Sequence, residues 1–178
     1  MRQRMVGVVL AAMTVAGADD LKAQTASAVR PEDRALEVVI ANGVERSVTF
    51  RDLITRLDTA DVVVYVRFAR CAGAVPACLL WASSSPGARR LVIKVDRFAG
   101  SEDSITAALA HELQHACEVA SSPEITDLAS FQKAFEARGW KGPHGFETQQ
   151  AKDVNRKVLT ELGAQRATAK VQRKDRGR

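Results

Sequence analysis

The chain has 178 residues, 46% of them hydrophobic and 26% charged, which is enough to bury one substantial core and too few for several independent domains. Lysine and arginine outnumber aspartate and glutamate 26 to 21, a net charge of +5, and aromatic residues make up only 5% of the chain. So small a basic excess, with no aromatic platform beside it, argues against a nucleic-acid-binding surface.

Arg2 and Arg4 precede an apolar run from Met5 to Ala18 that closes on Ala16-Gly17-Ala18. A basic start, a short apolar stretch and a small-x-small site predict a secretory signal peptide over residues 1–18, with cleavage as late as residue 23. The run is too short to span a bilayer, and no other stretch is long enough. The expected mature chain is therefore exported, periplasmic or secreted, without a transmembrane segment. Removal of Arg2 and Arg4 leaves 24 basic against 21 acidic residues, a net +3.

Residues 31–163 read as one α+β domain. After a flexible lead-in, Pro31, Glu32 and Asp33 open a helix that carries Leu36, Val39, Ile40 and Val44 at helical spacing, with Asn42-Gly43 as a stop signal. Ser47 caps a second helix with Phe50, Leu53, Ile54 and Leu57 inward. Three β-branched or apolar runs follow, Val62 to Phe68, Cys78 to Ala82 and Arg90 to Val95, each bounded by Gly, Pro or Ser clusters. Their short connections predict a small antiparallel sheet packed with helices. Cys71 and Cys78 bracket the loop between the first two runs, a spacing that permits a disulfide in an exported protein, and Cys117 reads as buried and free.

Ser101, with Glu102 and Asp103 behind it, caps a helix that ends near Ser121-Ser122-Pro123. Another helix is expected from Asp127 to Ala137, then a glycine-rich loop with Trp140 and His144. A last helix runs from Phe146 to Leu162, with Gly163 as its cap and Glu147, Ala151, Val154, Val158 and Leu162 on one face. Residues 164–178 hold six basic residues and one acid, which predicts a disordered basic tail.

The helix after Ser101 contains His111-Glu112-Leu113-Gln114-His115. Residues four apart on a helix stack on one face, so His111 and His115 can share a metal ion while Glu112 reaches its flank. With 3 histidines and 10 glutamates in 178 residues, the expected number of chance matches to this pattern is ~0.003, so accident is a poor explanation. Ile105, Leu109, Leu113, Ala116 and Ala120 gather on the opposite side, which should turn the histidine face toward a cleft.

This stretch resembles the active-site helix of the zincin metallopeptidases, with a gluzincin-like arrangement. The resemblance implies Zn2+ on His111 and His115, Glu112 as general base, a peptide or protein substrate, and a sheet edge beside the metal that pairs with it. Arg90 to Val95 is a candidate for that strand. A zinc site of this class takes three protein ligands. Glu147 is the leading third, because an inward-facing carboxylate needs a cation or donors to meet it. His144, the remaining histidine, is the alternative ligand or an oxyanion partner. Glu118 shares the histidine face but lies about 4.5 Å further along the axis, so it reads as a carboxylate that orients an imidazole from behind. The expected activity is zinc-dependent peptide-bond hydrolysis; the alternative is a zincin-like module that binds metal or peptide without turnover.

Overall fold

The computed structural model describes residues 27–142 and 145–176. The predicted leader, residues 1–18, lies outside them, as does His144. The fold is α+β. Strand β1 (Val29–Pro31) leads into helices α1 (Arg34–Arg46) and α2 (Val48–Asp58), then strands β2 (Val62–Phe68), β3 (Ala77–Ser85) and β4 (Ala88–Val95). Helices α3 (Glu102–Ala120) and α4 (Leu128–Arg138), the hairpin β5 (Trp140–Gly142) and β6 (Gly145–Glu147), and helix α5 (Gln149–Arg176) complete it.

The main sheet has the order β1-β2-β4-β3. It is mixed, not antiparallel as the short connections suggested: β1, β2 and β4 run parallel, and β3 alone opposes β4. The loop after β2 carries the chain past one strand position, so the hairpin return brings β4 into the vacant central place. β4 is thus interior, and β3 is an edge strand, as β1 is on the far side. Alternate residues of β2 (Val62, Val64, Val66) and β4 (Leu91, Ile93, Val95) are buried toward the helices, the period of two that a half-covered sheet requires.

Local signals place the helix starts. Asp33 accepts from the Ala35 N–H, Ser47 from that of Phe50, Ser101 from that of Ser104 and Asp127 from that of Ser130. Two stops predicted from glycine fail. α1 runs through Asn42-Gly43 because the ring of Phe50 packs onto Gly43, where a Cβ would sit only 3.0 Å from it. Pro31 ends β1 and does not open the helix.

α5 likewise runs through Gly163 to Arg176 and does not stop at Leu162, so residues 164–176 are helical where a disordered tail was expected. One glycine costs a helix interior about 1 kcal/mol. The Ala, Gln, Arg and Lys around it favour helix, and Arg166 bonds to Asp103 at 2.5 Å. α5 also begins three residues later than expected, leaving Glu147 on β6 rather than on the helix.

α3 is the central element. Ile105, Leu109, Leu113 and Ala116 are buried, as are Ala107, Ala108 and Ala110 on its other sides. Its C-terminal end is tied to β4 by the buried Arg89, whose guanidinium donates to the carbonyls of Val119 and Ser122 at 2.8 Å, of Ala120 at 3.2 Å and of Ile125 at 3.3 Å, and pairs with Asp61. Among the described residues, no helix is long and apolar enough to cross a membrane.

Candidate metal centre

α3 presents His111 and His115 one turn apart, with ring centroids 4.9 Å apart and planes at 79°. β6 brings Glu147 to them from across the cleft, its Oε1 3.3 Å from His111 Nε2. One ligand atom from each of His111, His115 and Glu147 falls within 4.8 Å of the other two. In a tetrahedral zinc site with bonds of 2.0–2.1 Å, ligand atoms stand about 3.3 Å apart, so a modest closing of this cluster suffices.

His115 carries the sharpest indication. Its Nδ1 lies 2.9 Å from Glu118 Oε2, and Phe135 packs edge-on against its ring with centroids 5.3 Å apart. Its Nε2 is buried without a hydrogen-bond partner among the described residues. An unmet buried polar atom costs about 1–3 kcal/mol, which a metal bond removes. The donor set, two imidazoles and a carboxylate, suits zinc. The residues therefore fit the ion that the sequence pattern implies.

Glu118 sits behind His115 in a polar nest. Thr148 Oγ1 donates to its Oε1 at 2.7 Å and Gln114 Nε2 at 3.3 Å. Gln114 is itself nearly buried and is bonded by Arg56 from α2 and contacted by Gln150 from α5. Burial would raise the Glu118 carboxyl, but the bonds from His115, Thr148 and Gln114 outweigh it and hold it below its ordinary value. Burial would lower His115, yet its bond to Glu118 and the surrounding carboxylates raise it. His111 is lowered, first by burial and then by the charge of His115, against the pull of Glu147.

Glu112 points to the flank of the histidines and is buried. Loss of solvent raises its carboxyl to about 7, opposed by the charge of His115 and by a hydrogen bond from the Leu79 backbone on β3. The helix thus sets its acid against the edge strand.

His111, Glu112, His115 and Glu147 line a cleft of about 370 Å³. Its walls are β3 at Leu79 and Leu80, the loop before it at Val75 and Pro76, and α4 at Phe131 and Phe135. Cys71 and Cys78 are joined in a disulfide, Cα atoms 6.1 Å apart, which closes that loop. Cys117 is free and buried, its thiol pushed up to about 11 by loss of solvent.

The structure thus gathers His111, Glu112, His115 and Glu147 at one cleft, with Glu118 behind. Sequence reasoning did not single out Gln114, Thr148, Phe135 or Asn155. Gln114 lies inside the histidine pattern, and Thr148 directly precedes α5 and accepts from the Ala151 N–H, so a capping signal was present in the sequence. Asn155 lines the cleft from α5, a neutral amide of the kind that can hold a peptide carbonyl. No signal in the sequence marked it. Comparisons with protein-family models, with curated proteins and with solved structures yield no match to this chain.

Proposed function

We propose that this protein is a zinc-dependent peptidase, exported from the cell, in which His111, His115 and Glu147 hold the ion. The reading rests on one observation above all: the buried Nε2 of His115, without a partner among the described residues, belongs to the same cluster as His111 and Glu147. The disulfide supports an oxidising compartment, in keeping with the basic and apolar leader.

Zinc bound there supplies Lewis acidity toward the scissile carbonyl and toward water. The protein's own groups do the rest. β3 is the edge strand that lines the cleft, so an extended peptide can pair along it and lie across the histidines. Glu112, beside the cleft, takes the proton from the attacking water and returns it to the departing amine nitrogen. Glu118 keeps the His115 ring turned so that Nε2 faces the cluster. Asn155 offers its amide to the peptide backbone.

A second reading, a metal- or peptide-binding module without turnover, is favoured by the position of Tyr65. This single tyrosine stands on β2 under the guanidinium of Arg30, 5.9 Å from its ring centroid, and does not line the cleft. It therefore supplies no oxyanion partner.

Zinc content and peptide cleavage, measured on the same preparations, separate these readings. One equivalent of zinc is expected in the wild type and in Glu112→Gln, with chelator-sensitive cleavage in the wild type alone. Weak zinc retention is expected in Glu147→Ala. Cleavage by Glu112→Gln at the wild-type rate would rule out Glu112 as the base. Full zinc without any cleavage in the wild type would leave the binding module.

A further inference from the structure

Gly139 joins the end of α4 to β5. Its backbone is extended, φ −113° and ψ 163°, a conformation open to any residue, so conformational freedom does not explain the glycine. Space does. A Cβ at this position would lie 2.9 Å from the carbonyl oxygen of Glu147 and 3.1 Å from that of Phe135. Both atoms are backbone, and neither can swing aside as a side-chain tip can.

The two neighbours are the ones that matter to the metal cluster. The Gly139 N–H caps α4 by donating to Phe135 O at 2.9 Å, and the Phe135 ring packs against His115. On the other side, Trp140 pairs with Glu147 in the β5–β6 ladder, and Glu147 reaches His111. Close approach at Gly139 thus ties the position of Glu147 to the helix end that buttresses His115.

We propose that Gly139 is a positioning residue for Glu147: the absence of a side chain lets β6 close onto the end of α4, bringing the carboxylate within reach of both imidazoles. This rests on the reading of Glu147 as the third ligand. A methyl group at Gly139 presses on the Glu147 carbonyl at 2.9 Å more closely than on that of Phe135 at 3.1 Å, and α4 is the longer element, so the short strand that carries Glu147 yields first while α3 holds the two histidines.

The test is zinc affinity, measured by competition with a chromophoric chelator on the full chain, for wild type, Gly139→Ala, Glu147→Ala and the double variant. Groups that orient metal ligands are worth about 10- to 100-fold in affinity, and a loss of that size is expected for Gly139→Ala. In the Glu147→Ala background, the same substitution should cost nothing further. Wild-type affinity in Gly139→Ala overturns the proposal. So does a loss that persists undiminished in the double variant, or a metal-free Gly139→Ala chain that has lost its near-ultraviolet circular dichroism. Either of these assigns the contact to the fold at large. Glu147→Ala binding zinc like the wild type brings down the ligand reading itself, and that result is seen independently of Gly139.

Discussion

The two nitrogens of the His115 ring differ in their surroundings. Nδ1 meets Glu118 three residues on, and Nε2 meets nothing among the described residues. The first relation was legible in the sequence, because residues three apart share a helix face and the two histidines define which face it is. The support of Glu118 was not legible, since Thr148 comes from 30 residues away and Arg56, which steadies Gln114, from another helix. Glu118→Ala leaves the ring free to rotate and removes the negative charge that strengthens it as a donor to metal. Zinc affinity should fall by about 10- to 100-fold while the fold is retained, as read by chelator competition and circular dichroism. Unchanged affinity would show that Phe135 alone holds the ring. Glu147 was read as inward-facing on a helix; it is inward-facing on a strand, because the glycines and the cap at Thr148 delay the helix start.

Ser47 ends α1 and begins α2, and α5 reaches across to it. Glu161 accepts from Ser47 Oγ at 2.5 Å, from Thr49 Oγ1 at 2.7 Å and from the Thr49 N–H at 3.1 Å. Burial would raise the Glu161 carboxyl, but these bonds prevail and hold it below its usual value of 4.5. A carboxyl lowered on folding contributes stability that is fully present above 4.5 and fades as pH falls through the lower folded value. Glu161→Gln should therefore lower the urea midpoint at neutral pH, with the gap from wild type narrowing as the solution is acidified below 4.5. A gap that is constant with pH would refute this account. The caps at Ser47 and Ser101 and the apolar faces behind them were legible because they are local. Sheet order was not, because alternation within a strand says which face is buried and nothing about which strand lies alongside. The helical run through Gly43 and Gly163 was hidden for a similar reason: the ring on Gly43 and the Asp103 partner of Arg166 come from elsewhere in the chain.

Across the whole molecule, the three residues proposed to hold zinc come from supports of unequal firmness. The histidines sit on a helix buried on most of its sides, whereas Glu147 rides on a three-residue strand in a two-stranded ribbon apart from the main sheet. Ribbons of this kind are marginal alone. An ion shared between helix and ribbon would act as a clasp, stabilising the closed form by mass action while adding little to the helix. Limited digestion with trypsin reads this out, since Lys141 lies in the ribbon. Nicking after Lys141 should be slow in zinc, fast in chelator, and fast in both for Glu147→Ala. Digestion at one rate throughout would mean that the ribbon needs no clasp. Where protection does appear, metal supply would govern how long the chain survives among proteases, and a metal-starved molecule would be cut first at the segment that carries Glu147.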